Sequence, residues 1–156
     1  MTHMTSTGKE NPENFIIRPF RRGEFEEVSG LWDVTGMGSS KRGDDETIIL
    51  SSIEMGGNLL IMEEKNSGKI VGTSWMTFDG RRIHLHHFGI LPAYQERGLA
   101  DILLSECLRF VKEKGYQVKL EVNTSNYKAI NLYKKHGFEY LGDFDVYIIR
   151  DITKIR

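Results

Sequence analysis

The residues of this chain that could do chemistry crowd into positions 83–142. The first group is a loop. Phe88-Gly89-Ile90 is followed by Leu91-Pro92, then Gln95-Glu96-Arg97-Gly98-Leu99-Ala100-Asp101, then a helical pattern. A strand that feeds a glycine-bearing loop into a helix start aims several unpaired N–H groups at one place, and the helix dipole adds its positive end. Such a mouth holds anions, best a phosphate or pyrophosphate. Gly98 permits close backbone approach, and Ala100 is nearly as small. The loop lacks the Gly-Lys-Ser/Thr ending of an ATP-binding loop and the full GxGxxG of a dinucleotide fold. Taken alone, a turn of this kind is more often plain connection.

The second group can move protons. His84 and His86 alternate along a strand, on the face shared with Phe88 and Ile90, and a histidine pKa near 6.5 suits a general base at neutral pH. His87 then points to the other face and reads as structural. His86 and His87 are neighbours on a strand and cannot converge on one ion, so no metal site is expected. Glu121 alternates with Leu120 and Val122, so it faces away from one core layer, as many surface carboxylates do. Tyr133 lies seven residues after Asn126, two turns along one helix, so the two can share a face. By residue type alone Tyr133 reads as a core tyrosine beside Leu132 and Phe138, and Asn126 as a helix N-cap. His136 reads as a partner of the dipole at a helix C-terminus.

Regular elements must position these groups. Phe15–Pro19 is a short apolar run ended by proline, hence a first strand. Residues 22–33 carry Phe25, Val28, Leu31 and Trp32 at helical spacing. Residues 36–43 form a loop rich in glycine, serine and lysine, and Asp44-Asp45-Glu46 open a second helix that Gly56-Gly57 ends. Strands follow at 58–64, 69–78 and 82–90, joined by the hairpin signals Asn66-Ser67-Gly68 and Asp79-Gly80. A helix over 99–114 stops at Gly115, and 117–122 alternates as a half-buried strand. Ser125 or Asn126 caps a helix running to about 136. Residues 138–141 and 146–152 read as the last two strands. Helices and strands in this order make an α/β chain with a mixed sheet and helices on its faces.

The bulk numbers agree with a single domain over 15–156, preceded by a polar arm at 1–14 that is expected to be mobile. The chain has 156 residues, 39% apolar and 28% charged, enough for one core. A formal net charge of −1 gives no case for nucleic-acid binding. The one cysteine, Cys107, allows no internal disulfide and suits a reducing cytoplasm. No apolar run reaches the ~18 residues of a membrane helix.

The run IxPxxQxRGxA from Ile90 to Ala100, leading into a helix, resembles the acyl-CoA pyrophosphate loop of GCN5-related N-acetyltransferases, the GNAT superfamily. Thirty residues on, Leu120-Glu121-Val122-Asn123-Thr124-Ser125-Asn126, then Ala129-Ile130, Leu132-Tyr133 and Gly137-Phe138, resembles the second block of that superfamily, most closely in its ribosomal-protein-alanine N-terminal acetyltransferase branch. The resemblance implies a fold of about seven mostly antiparallel strands with four helices. It implies acetyl-CoA as co-substrate and a primary amine as acceptor, either a protein N-terminus or a small molecule, with a homodimer left open. It assigns the pantetheine arm to the backbone of Phe88, Gly89 and Ile90. The pyrophosphate goes to the amides of Glu96, Arg97, Gly98, Leu99, Ala100 and Asp101, and Asn126 bonds the cofactor near its thioester. Tyr133 becomes the acid that protonates the leaving thiolate. The base is Glu121 by the N-terminal branch, or His84 by other branches, with His86 beside it. Asp101 departs from the family pattern, since a carboxylate would repel a diphosphate; its side chain is expected to point away, with Arg97 as a compensating charge. The alternative is a non-catalytic acyl-CoA-binding regulatory module, which needs the loop but no acid or base.

Overall fold

The computed structural model describes residues 11–38 and 43–156. The first ten residues of the expected arm, and the middle of the expected loop at 36–43, lie outside them; Pro12–Asn14 is a short 3-10 turn leading into the first strand. Elements follow in the order β1 (Phe15–Pro19), α1 (Phe25–Val34), α2 (Glu46–Glu54), β2 (Asn58–Glu64), β3 (Ile70–Phe78), β4 (Ile83–Ile90), α3 (Leu99–Lys114), β5 (Val118–Leu120) and α4 (Tyr127–Lys135).

Local chemistry accounts for the boundaries. Helix α1 starts at Phe25 rather than 22 because Gly23 sits at φ +95°, a turn conformation, and its amide is taken by the Glu46 carboxylate at 2.6 Å. Asp45 caps α2 by accepting from the Ile48 amide at 2.8 Å, and Gly56 at φ +101° ends it as expected. Gly115 ends α3 in the left-handed conformation at φ +83°.

The strands form one mixed sheet in the order β1-β2-β3-β4-β5. The first four pair antiparallel, with Ile17 opposite Met62 and Leu60 opposite Ser74; β5 lies parallel to β4, with Leu120 opposite Leu85. Each face is covered. Leu60, Met62, Met76, Ile83, Leu85 and Ile90 pack under Leu99, Leu103, Leu104 and Cys107 of α3. Leu59, Ile61, Ile70 and Trp75 pack on the other face under Val28, Leu31 and Trp32 of α1 and Ile49 of α2.

Two expectations need correction. Among the described residues the sheet has five strands rather than about seven: 138–141 and 146–152 join no ladder. They hold strand-forming residues but pair with no strand of the sheet, and a strand exists only where a ladder does. Strand β5 is also shorter than the alternation over 117–122 suggests, because β4 and β5 part after Leu85 and Leu120.

Candidate functional site

That parting makes the site. Beyond Leu85 the edge of β4 that faces β5 has no ladder partner, and a cleft of about 760 Å³ opens in the wedge. It is lined by 84–90 of β4, the loop at Tyr94–Glu96 and 98–101, residues 120–123, and Asn126, Lys128, Ala129, Leu132 and Tyr133 of α4 and its cap. Every candidate catalytic or cofactor-binding residue named from the sequence borders it except Arg97, whose guanidinium stacks over the Tyr94 ring at 5.1 Å.

The loop has the geometry of an anion site. Glu96 and Gly98 both lie in the left-handed region, at φ +62° and +82°, a pattern that turns successive amides toward one concavity. Gly98 is the N-cap of α3 and supplies no side chain to its first turn. Among the described residues, the amides of Glu96, Gly98, Leu99, Ala100 and Asp101 donate to no group of the protein. A sixteen-residue helix therefore presents its positive end, unsatisfied, to the cleft.

The acidic side chains of this loop are tied elsewhere. Asp101 accepts from Lys135 Nζ at 2.8 Å and bonds His136 Nε2 at 2.9 Å, both at the end of α4. Lys135 first, then His136, hold its carboxyl below the usual range. The Glu96 carboxylate reaches across to Lys128. His136 is thus more than a dipole partner, since it helps anchor α4 to α3.

On α4, Asn126 caps the helix by accepting from the Ala129 amide at 3.3 Å. The Tyr133 ring is 8% exposed, with its centroid 5.9 Å from that of Phe88 and 5.6 Å from that of Phe138. Burial, with the Cys107 thiol as a lesser cause, pushes its phenol up to about 12. Tyr133 therefore keeps its proton throughout the neutral range.

Strand β4 corrects the expected facing of the histidines. Between Trp75↔His86 and Thr73↔Gly89 the register slips, so that His87 and Phe88 together oppose Ser74, with His87 at φ +45°. This β-bulge inverts the alternation. Phe88 and Ile90 turn to the α3 and α4 face with Tyr133, whereas His84 and His86 lie on the opposite face toward Trp75 and α2. His87 does not oppose them. Its ring packs 4.3 Å from Trp32, and its Nε2 lies 3.2 Å from the Asp44 carboxylate. His86 Nε2 meets Thr77 Oγ1 at 2.9 Å. Although His86 is partly open to solvent, burial of its ring, then the neighbouring His84 and His87, lowers its pKa; Glu121 acts weakly the other way. His86 is therefore neutral at pH 7. Next to it a recess of about 250 Å³ is lined by Asp44, Ile48, Ser52, Trp75, Thr77, His86 and His87.

Two supports were not read from the sequence. Gln95 Nε2 donates to the Ile90 carbonyl at 2.8 Å, folding the loop back onto the end of β4. Trp32 Nε1 donates to Thr73 Oγ1 at 2.9 Å, and that hydroxyl donates to the His87 carbonyl at 2.8 Å, pinning the bulge. Gln95 opens the QxRGxA run and could have been found there; nothing in the local sequence marks Trp32 or Thr73.

The sheet is thus split at its parallel pair, with the bare N-terminus of α3 at the split. A family profile described as Acetyltransferase (GNAT) family matches residues 28–138. The chain belongs to the GNAT acetyltransferase family. Solved structures with the same fold include a GNAT-family acetyltransferase from Staphylococcus aureus Mu50, with 19% identity and a TM-score of 0.71 over 80% of this chain and 83% of that one. The ribosomal-protein-S18-alanine N-acetyltransferase of Escherichia coli matches at 20% identity and TM-score 0.67, covering 80% and 77%. A GNAT-family acetyltransferase from Elizabethkingia anophelis with acetyl-CoA bound matches at 18% identity and TM-score 0.59, covering 81% and 77%.

Proposed function

We propose that the protein transfers the acetyl group of acetyl-CoA to a primary amine, on a protein N-terminus or a small molecule, by direct attack. The observation that carries this reading is the set of unsatisfied amides at Glu96 and 98–101, opening into a cleft that also holds Tyr133. Those amides suit a diphosphate, and the unpaired edge of β4 at Phe88, Gly89 and Ile90 suits an extended pantetheine arm that pairs as a strand would. Asn126 has a side-chain amide beyond its cap bond to offer the same arm. Arg97 contributes its main chain to the same loop, while its guanidinium stacks over Tyr94.

The acceptor enters from the face of α1 and α2, where the recess beside His86 carries the Asp44 carboxylate and the Trp75 ring. Its nitrogen must be neutral to attack. An α-amine, with pKa about 7.7–8.0, meets that condition at pH 7 far better than a lysine at about 10.4. The amine nitrogen bonds to the thioester carbon and gives its proton to Glu121 or to His84/His86, while the carbon–sulfur bond breaks. Tyr133 donates its phenolic proton to the departing thiolate. With its pKa near 12 the phenol acts first as a hydrogen-bond donor to sulfur and yields the proton as thiolate charge develops.

Isothermal titration with coenzyme A, followed by a thiol-release assay over a panel of amines and N-terminal peptides, tests the reading. Binding with turnover on at least one amine is expected. Binding with no turnover on any amine would favour a regulatory acyl-CoA module, and no binding would remove the site.

A further inference from the structure

The cleft has two walls. On the α3 and α4 face it is closed by Phe88, Leu132 and Tyr133, all packed with the first core cluster. On the other face stand Thr35, Gly36 and Met37, the residues that lead out of α1. This second wall is fixed to the core. The amides of Met37 and Gly38 both donate to the Trp32 carbonyl, at 2.7 and 2.9 Å, and Trp32 is 2% exposed. Gly36 makes the turn at φ +75°, and Thr35 Oγ1 donates to the Leu31 carbonyl at 2.8 Å. Met37 itself is half-buried against the second core cluster.

Met37 reaches the strand. A Cβ on residue 89 would lie 2.8 Å from Met37 Cε and 3.6 Å from its Sδ, with Thr35 Cγ2 at 3.9 Å. The end of the thioether thus fills the space a side chain at 89 would take, and glycine there leaves it room. One residue along, the Phe88 ring meets Tyr133. The Met37 side chain therefore stands on the α1 face of the unpaired β4 edge, while Tyr133 borders the cleft from the other face.

A thioester held beside Tyr133 has a directed acyl group. Its sulfur must face the phenol, and its carbonyl carbon must face the amine, which comes from the α1 and α2 side. The acyl tail then leaves the strand edge toward the second wall, where a lengthening chain meets the Met37 thioether. We propose, on the basis of the acyl transfer put forward above, that Met37 sets the acyl-chain length: it admits an acetyl group and excludes a butyryl group or anything longer. Methionine is unbranched and bends, so the limit is graded, with propionyl taken less well than acetyl.

Wild-type kcat/KM with acetyl-, propionyl-, butyryl- and hexanoyl-CoA, on one amine that is turned over, should fall at each step. Butyryl-CoA should stand about tenfold or more below acetyl-CoA, since a methylene that a pocket rejects is worth about 10–200-fold. Met37→Ala removes Cγ, Sδ and Cε, more atoms than butyryl adds to acetyl. It should raise the butyryl-to-acetyl ratio of kcat/KM by about tenfold or more. Met37→Leu keeps the bulk and should keep the wild-type order. The ratio separates a gate from a structural role, because a loosened fold lowers turnover with every acyl-CoA alike; circular dichroism checks the fold of each variant. Calorimetry with acetyl-CoA and butyryl-CoA reads the same preference from Kd without turnover. A chain that binds both but acylates no amine removes the transferase reading, and the Kd ratio then decides the gate alone. The proposal is overturned by a wild type that takes butyryl-CoA as well as acetyl-CoA, or by a Met37→Ala chain whose ratio is unchanged. A wild type that binds no coenzyme A removes the site and the gate together.

Discussion

Tyr133 and His86 stand on opposite faces of one bulged strand, and each holds the protonation state its proposed role needs. The phenol is pushed up to about 12 by burial, so it is a donor across neutral pH. Replacing it with Phe keeps the ring packing against Phe88 and Phe138 and removes only the hydroxyl that carries the proton. We expect Tyr133→Phe to lower kcat by about 10²–10⁴, the usual worth of a positioned acid, with the calorimetric Kd for coenzyme A unchanged. Unchanged kcat would take Tyr133 out of the reaction. His86 has its pKa lowered, so between the unfolded value of about 6.5 and that lower value the unfolded chain binds more protons than the folded one. Stability contributed by the neutral ring is therefore full above about 6.5 and falls as pH drops through the folded value. Urea unfolding from pH 7.5 to 5.0 should show this loss, and His86→Gln should flatten it. The same variant, set beside His84→Gln and Glu121→Gln, separates the three candidate bases, because only the true base takes the acid limb of the kcat/KM profile with it.

The helices and loops around the cleft show where sequence and structure meet. Gly98 is the clearest case. Its spacing ahead of the apolar period of α3 marks a turn, and the structure gives it φ +82°, where a side chain costs about 1–2 kcal/mol. Gly98→Val should therefore destabilise the fold by about that amount and also obstruct the approach of phosphate to the loop amides. Coenzyme A affinity should drop at least tenfold by calorimetry, while circular dichroism stays native. A wild-type Kd would show that the loop does not hold the diphosphate. Gly56 and Gly115 were equally legible, because a left-handed helix end is a property of one residue. The β4 bulge was not. Strict alternation put Phe88 and Ile90 with His84 and His86, and the slip that separates them is fixed by Thr73 and Trp32, far off in sequence. The last two strands failed for a related reason. Residues 138–152 have strand composition, but composition does not supply the neighbouring edge. That the loop, Tyr133, Glu121 and Asn126 border one cleft was legible because the two motif blocks are local. The redirected carboxylate of Asp101 was expected only as an avoidance; its anchors, Lys135 and His136, appear once α3 and α4 are packed.

The whole molecule is a sheet with a core on each side, and the cleft depends on both. The α3 side seats the helix whose N-terminus faces the loop, and the α1 and α2 side seats the bulge and the recess beside His86. Leu103 is fully buried in the first core and Ile49 in the second. Each truncation to Ala removes buried methyl groups and leaves a cavity, so each should cost about 2–5 kcal/mol. The two residues belong to separate clusters divided by the sheet, with no shared packing partner among the buried members. Their costs should therefore add within about 0.5 kcal/mol in the double variant. Urea midpoints of the wild type, both single variants and the double variant, at constant m, measure this. An interaction energy well above that margin would mean that the sheet transmits strain between its faces. In that case the bulge at His87 would be the route to examine, since Thr73 and Trp32 tie it to the Ile49 side while Phe88, next along the strand, packs on Tyr133.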